Sequence, residues 1–358
     1  MSFNSFGDIV KLITFGESHG LAIGGIIDGL PSNQKIDFKI INKDINKRKT
    51  NKFNLLSTRK EKDKVIFLSG IYKKYTLGTP IGFIIINKNV KSNDYKNIKN
   101  IFRPSHADYT YYKKYKIRDY RGGGRSSARE TLCRIIAGSL SKQILKNLNK
   151  NIKIFAYVSS VGNIKLLKSY QKINRHNIKN NLIKCPDINI AKKMINYIKK
   201  IKNTGNTIGG IITCVIKNLP VGLGDPIYKK LSSSLSEAMF SINAVKGFEY
   251  GSGFKSTLMT GFQHNDIFLK NYITKTNYSG GIQGGISNGM EVYFNIGFKP
   301  VSSIFKNQIT RNLKNKYKEI LIKGRHDTCV LSRAVSIVEA MSYLVIINKY
   351  IINRIYNL

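Results

Sequence analysis

The sequence predicts an α+β chain, and three observations carry that expectation. Short runs rich in isoleucine, valine and phenylalanine, bounded by glycine, proline or asparagine, recur along the chain in the manner of strands. Three other segments, Leu132–Leu145, Leu231–Ile242 and Ala334–Met341, place apolar residues at helical spacing. Apolar residues make up 42% of the 358 positions, which supplies a substantial core for one large domain or two ordinary ones.

In chain order, Ile9–Ile13 and Ile23–Ile27 read as strands. Between them lies Phe15-Gly16-Glu17-Ser18-His19-Gly20, a histidine on a glycine-flanked turn. A lone histidine is as readily structural as catalytic, but imidazole has the unperturbed pKa, about 6.5, suited to proton transfer near neutrality. Lys35–Arg59 begins as an amphipathic helix and becomes a basic polar loop, which by itself reads as a solvated face. Val65–Ile71 and Pro80–Ile86 read as strands, and the β-branched run Ile84-Ile85-Ile86 as a buried one.

Arg103-Pro104-Ser105-His106-Ala107-Asp108 sets an arginine three residues before a second histidine and precedes a tyrosine-rich stretch. Next, Gly122-Gly123-Gly124 sits between Arg121 and Arg125, and Ser127-Ala128-Arg129-Glu130 spells a capping box ahead of the helix at Leu132. A glycine loop admits close approach to the main chain, a helix N-terminus attracts anions, and arginine is a forked donor for phosphate and carboxylate. The stretch predicts a site for a multiply anionic ligand; the alternative is a solvated basic turn opening a surface helix. A nucleoside-triphosphate loop is excluded, because no Gly-Lys-Ser/Thr follows the glycines.

Asn151–Gly162 reads as a strand, Leu166–Lys202 as a peripheral lysine- and asparagine-rich segment with weak helical pattern, and Thr207–Leu219 as a strong strand. Gly247 is expected to cap the helix that starts at Leu231. Ser279–Gly289 is a second glycine-dense loop, a weak signal alone, followed by the strand Met290–Phe298 and by Lys299-Pro300-Val301-Ser302-Ser303, whose cation and hydroxyls suit a phosphate or a flavin edge. Gly324-Arg325-His326-Asp327 comes last, before a terminal helix; its carboxylate serves either as an acid/base group or to orient an arginine.

The formal net charge of +40 invites a nucleic-acid reading. The excess lysine, however, lies in segments equally rich in asparagine, isoleucine and tyrosine, residues that share A/T-rich codons, so nucleic acid is not the expected partner. Residues Met1–Asp8 are polar and carry no signal-peptide pattern, and no apolar segment approaches the length of a membrane span. Cys133, Cys185, Cys214 and Cys329 are far apart, form no metal-type pair, and are expected as reduced thiols of a cytoplasmic protein.

Taken together, these motifs resemble the chorismate synthase family over almost the whole chain. The resemblance rests on Thr14–Gly20, Arg121–Thr131, Ser241-Ile242-Asn243-Ala244-Val245-Lys246-Gly247, Gly280–Ser287 and Gly324–Asp327. It implies a single domain over residues 1–358 with a β-α-β sandwich fold, helices held between antiparallel sheets, assembled as a homotetramer. It implies elimination of phosphate from 5-enolpyruvylshikimate 3-phosphate to give chorismate, with reduced FMN as cofactor and no metal. NADPH is the candidate reductant of that FMN; no extra domain is visible, so an external flavin reductase is expected. The resemblance makes His19, His106 and Asp327 the catalytic residues. Arg125, Ser126, Ser127, Asn243, Ala244, Gly284, Lys299, Pro300, Val301, Ser302, Ser303 and Arg325 fall on flavin-binding positions. Arg48, Arg103 and Arg129 fall on substrate- or nicotinamide-binding ones. The chain departs from the family pattern after Arg48, where Lys49-Thr50-Asn51 replaces Arg-Pro-Gly. A second family arginine falls on Asn54, with Lys52 the nearest cation. Ser105 stands where the family has glycine, and prolines expected near Thr328 and Ser336 are absent.

Overall fold

Strands form where apolar residues alternate. The computed structural model describes residues 3–49, 63–88, 95, 97–322 and 327–356. It opens with β1 (Ser5–Phe6), β2 (Lys11–Phe15), β3 (Ala22–Asp28) and α1 (Phe38–Lys47). After them come β4 (Val65–Phe67), a hairpin of β5 (Ile71–Tyr72) and β6 (Tyr75–Thr76), and β7 (Ile81–Ile86). Strands β1-β2-β3-β7-β4 form an antiparallel sheet in that order. Leu12, Ile23, Ile27, Ile81, Phe83 and Ile85 are buried, whereas Ile84 and Ile86 are half-exposed. The run Ile84–Ile86 is therefore not buried throughout. It belongs to a sheet with one face on the core, where successive side chains point to opposite sides.

Two helices follow, α2 (Asp108–Tyr115) and α3 (Thr131–Leu148). The second half of the chain then runs β8 (Lys153–Val161), β9 (Ile164–Lys165), α4 (Arg175–Lys179), α5 (Ile188–Asn203), β10 (Gly210–Lys217), α6 (Leu231–Phe240) and β11 (Val245–Tyr250). It continues through α7 (Gly261–His264), the hairpin β12 (Ile282–Gln283) and β13 (Ile286–Ser287), β14 (Val292–Phe298), the hairpin β15 (Gln308–Arg311) and β16 (Tyr317–Ile320), and α8 (Leu331–Tyr356). Strands β11-β14-β10-β8-β9 make the second antiparallel sheet, with Cys214 of β10 paired to Phe294 on one side and Ala156 on the other.

The helices fill the space between these sheets. α3 packs on β2 and β3, α8 packs on β8 and β10, and α3 and α8 pack on each other. Gly138 sits at their crossing, where a Cβ would lie 2.5 Å from the Cβ of Ala340, so only glycine lets the two backbones approach this closely. One continuous apolar core joins Ile23 and Phe83 of the first sheet, Leu132 and Ile136 of α3, Val338 and Ile346 of α8, and Phe294 of the second sheet. Truncating one of these buried side chains to alanine costs about 2–5 kcal/mol.

α8 is longer than the expected terminal run. Its 26 residues are long and apolar enough to cross a membrane by composition, yet 72% of its most apolar window is buried inside the protein. A helix clasped on most sides by protein carries the same apolar signature. Gly247 does not cap α6: that helix ends on Ser241, the left-handed residue after it is Ala244 (φ +70°), and Gly247 lies in β11 at a shift of register against β14. The lysine-rich segment expected to be peripheral also reaches inward. Lys184 donates to the carbonyl of Lys47 at 2.9 Å and to Ser336 Oγ at 3.1 Å, tying the end of α1 to α8. Burial brings its pKa down to about 8. The four cysteines are free and buried.

Candidate active site

The turn between β2 and β3 presents His19. Its Nδ1 lies 3.0 Å from Ser18 Oγ, and its ring meets Tyr95 edge-on with centroids 5.0 Å apart. The glycine loop lies against this ring. Gly122 has φ +77°, and a Cβ there would sit 2.5 Å from His19 Cε1 and Nδ1, so residue 122 must be glycine for conformation and for space alike. The amide of Ser18 donates to Gly124 O at 3.4 Å, closing the two turns onto each other.

The second histidine is built into an ion cluster. Arg103 is buried; its Nε donates to Asp108 Oδ2 and its Nη2 to Asp108 Oδ1, both at 2.8 Å, and Nη2 also donates to Gly122 O at 2.9 Å. Arg118 Nη1 is 3.0 Å from the same Oδ1, and so is His106 Nδ1 at 3.1 Å. Burial alone would raise the Asp108 pKa; hydrogen bonds from Arg103 and His106 and the charges behind them reverse this and hold the carboxyl far below the usual carboxylate range. Ser105, just before His106, sits in the left-handed region at φ +56°. Its carbonyl accepts from Lys299 Nζ and Ser302 Oγ, both at 3.0 Å, so the Lys299–Ser303 loop docks on the histidine turn. Val301 O accepts from Thr207 Oγ1 at 2.7 Å, Ser303 is buried, and Pro300 packs near Gly209.

The loop after the glycines is held by main-chain acceptors. Arg125 donates to Thr14 O at 2.9 Å, Thr14 Oγ1 at 2.7 Å and Gly16 O at 3.2 Å. Ser126 Oγ donates to Gly123 O, and Asn243 Nδ2, next to Ala244, donates to Ser126 O at 2.8 Å. Asn243 Oδ1 is buried without a hydrogen-bond partner among the described residues. The expected capping box at Ser127–Glu130 does not form. Glu130 accepts instead from Thr14 of β2 (2.9 Å) and from Arg134 (2.9 Å), Ser127 Oγ accepts from the amide of Arg129 at 3.4 Å, and α3 starts at Thr131. A buried tertiary partner has outcompeted the local one.

Behind the loop lies a group of guanidiniums. Arg129 is buried, donates to Asn87 Oδ1, and pairs with Asp63 at 3.2 Å. Asn87 in turn donates to Glu17 O and Gly20 O, which links Arg129 to the His19 turn. Arg48, at the end of α1, donates to Ala128 O at 2.8 Å. Burial, and then the positive charge of Arg333, pull its pKa down to about 10 against the opposing pull of Asp63 and Asp327. Asp327 pairs with Arg333 at 3.2 Å. The Nε atoms of Arg48 and Arg333 are buried without hydrogen-bond partners among the described residues.

A cavity of about 830 Å³ opens beside these elements, lined in part by His106, Tyr111, Gly122, Arg125, Ser126 and Arg134. Of the residues expected at the site, His106, Arg125 and Ser126 line this cavity; His19, Arg103, Ser127, Arg129, Asn243, Lys299 and Ser302 are tied to its walls by the contacts above. Gly284 is at the tip of the β12–β13 hairpin and is not in the lining. Arg325, Lys52 and Asn54 fall outside the described residues. Sequence reasoning assigned no role to Asp108, Arg118, Asn87, Asp63 or Arg333. Asp108 carried a signal, standing in the Arg103–His106 motif, and Arg118 stands just ahead of the glycine loop; Asn87, Asp63 and Arg333 are single polar residues farther away in sequence. Among the described residues no group of three or more histidines, cysteines or acids is arranged to hold a metal.

The family described as Chorismate synthase matches residues 10–351. The chorismate synthase of Christiangramia forsetii is 55% identical over 354 residues, covering 99% of each chain. That of Flavobacterium psychrophilum is 55% identical over 357 residues, covering 100% of this chain and 99% of its own. A solved structure, "Crystal Structure of Chorismate Synthase", superposes with a TM-score of 0.76 at 27% identity, covering 96% of this chain and 92% of its own.

Proposed function

The chain belongs to the chorismate synthase family, carbon–oxygen lyases of aromatic amino acid biosynthesis, and on that premise we propose that its substrate is 5-enolpyruvylshikimate 3-phosphate and its cofactor reduced FMN. The reaction breaks the C–O bond to phosphate and a C–H bond across the ring, so that phosphate and a proton leave and the 1,4-elimination creates the second ring double bond of chorismate. The observation that carries the reading is the group Arg48, Arg129 and Arg333, which has only Asp63 and Asp327 as carboxylate partners among the described residues and leaves buried N–H donors unmatched. Such a group suits a substrate with a phosphate and two carboxylates, and stabilises charge on the departing phosphate.

The donor set also fits a flavin mononucleotide. The partnerless Asn243 Oδ1 supplies an acceptor, and Arg125, Ser126, Ser127, Ala244, Gly284 and Lys299–Ser303, with Arg325, are the residues we assign to it. A reduced flavin held by these residues would supply electron density transiently as phosphate leaves, with no net redox change. His19 holds a proton for the departing phosphate. His106, backed by Asp108, would stand beside the flavin, where a proton on the imidazole supports the reduced ring. Asp327, held by Arg333, receives a proton. NADPH, acting through an external reductase, would be the source of the reduced flavin.

We further assign one domain over residues 1–358, a cytoplasmic location, and a homotetramer. The exposed apolar side chains Phe254, Leu258, Phe262 and Tyr272, on one stretch after β11, support an interface between copies. The test is an anaerobic assay of the purified protein with chemically reduced FMN and 5-enolpyruvylshikimate 3-phosphate, following chorismate absorbance and phosphate together. Equal amounts of both are expected. Absence of turnover with both ligands demonstrably bound would overturn the reading.

A further inference from the structure

The geometry assigns Asp108 as the positioning residue of His106, fixing the imidazole with its proton on Nδ1 and leaving Nε2 to face whatever occupies the cavity. The assignment follows from counting hydrogens. His106 Nδ1 lies 3.1 Å from Arg103 Nη2 and 3.1 Å from Asp108 Oδ1, so it can accept from the first or donate to the second. Arg103 Nη2 carries two hydrogens, and both are committed, one to Asp108 Oδ1 at 2.8 Å and one to Gly122 O at 2.9 Å. None remains for the imidazole, so Nδ1 donates to Asp108.

Asp108 is itself immobile. It is buried, its Oδ2 accepts from the amide of Arg103 at 3.0 Å and from Nε of the same residue, and Arg118 flanks Oδ1. The charged groups facing it are those of Arg103, His106 and Arg118, and the hydrogen bonds and charge of Arg103 and His106 hold its carboxyl well below the usual carboxylate range, so at neutral pH it is an acceptor. His106 is the exposed member, reaching the cavity. The same carboxylate holds the ring in place when neutral and supports it as a cation when protonated. The role in turnover rests on the lyase reading above; the tautomer does not.

Two measurements test it. The 15N spectrum of the histidine-labelled full-length protein, taken where the imidazoles are neutral, should show His106 protonated on Nδ1 and bare on Nε2; a resonance pattern with the proton on Nε2 overturns the assignment outright. In Asp108→Asn the amide can turn an N–H toward Nδ1 and force the opposite tautomer. Turnover should fall by about 10²–10⁴-fold with substrate KM changed far less. Asp108→Asn that folds and keeps the parent rate and tautomer also overturns it. Should that variant not fold, the spectrum of the parent protein decides alone. A parent protein with the Nδ1–H tautomer but no lyase activity would sink the proposed function and leave this assignment standing.

Discussion

Replacing Gly122 by alanine tests the coupling of the glycine loop to His19. The added Cβ has two separate costs. An alanine held at φ +77° is strained by about 1 kcal/mol relative to glycine. The methyl would also sit 2.5 Å from two atoms of the His19 ring and 3.2 Å from Ser18 Oγ, an overlap that forces the ring away at a further cost of about 1–3 kcal/mol. Gly124→Ala is the matched control: its φ is +52°, and nothing lies within 4 Å of the new Cβ, so only the backbone strain applies. Thermal melts should therefore place Gly122→Ala about 1–3 kcal/mol below Gly124→Ala, a gap of a few degrees at most in a chain of this length. The larger difference belongs to the chorismate assay. If His19 holds the proton for the departing phosphate, as proposed, displacing it by about 1 Å costs on the order of 10²-fold in rate. Gly122→Ala should lose about that factor, while Gly124→Ala stays near the parent. Equal rates in the two variants would mean that His19 does not depend on the loop, and the reasoning would fall.

Two further outcomes follow from strain and charge. Ser105 occupies a left-handed conformation at φ +56°, and its carbonyl is already fixed by Lys299 and Ser302. Ser105→Gly should relieve about 0.5–1 kcal/mol of strain and raise the melting temperature slightly without loss of activity; a lower melting temperature would show that the serine side chain matters more than its backbone. Asp108 has a depressed pKa in the folded protein, so its contribution is full above the unfolded value near 3.9 and is lost as pH falls toward the folded one. Breaking this buried cluster with Asp108→Asn should cost about 3–5 kcal/mol at neutral pH. In denaturant titrations from pH 7 down to pH 2.5, the gap between parent and variant should stay constant to about pH 4 and then narrow by about 1.4 kcal/mol per pH unit. A gap that stays constant throughout would contradict the depressed pKa.

The strands were legible because a sheet with one face on the core writes its geometry into the sequence as alternation, as in β3 and β7. Helix boundaries were less so. Ser127 and Glu130 have the spacing of a capping box, but spacing records only local competition; Thr14, more than a hundred residues away, supplies a buried hydroxyl that Glu130 prefers. α8 was legible as a helix but not in its length: enclosed by α3, α6 and the second sheet, it lacks the polar face that marks how far a surface helix runs. The sandwich topology came from the resemblance and not from periodicity, since nothing local in β8 or β10 states which strand lies beside which. The site divides along the same line. His19, His106 and the glycine loop announce themselves by composition within a few residues. Asp63, Asn87 and Arg333 act only through partners brought by the fold, and no short window contains both members of Arg129–Asp63.

The structure also separates arginines that the sequence treats alike. Arg48, Arg103 and Arg129 are all assigned by the resemblance to ligand-contacting positions, yet their donors are committed differently. Arg103 gives Nε and both Nη2 hydrogens to Asp108 and Gly122, so its main work is to hold the His106 turn. Arg129 is divided between Asp63 and Asn87, and through Asn87 it braces the His19 turn. Arg48 has one carbonyl acceptor, a buried Nε without a partner among the described residues, and a pKa drawn down to about 10, partly by the charge of Arg333, whose own Nε is in the same condition. Each buried unmatched donor costs about 1–3 kcal/mol, more when it is charged. An anion accepting from both would remove that cost. On the proposed function, the two arginines least served by the protein are the ones assigned to the phosphate, and the ones best served are the frame that holds the two histidine turns.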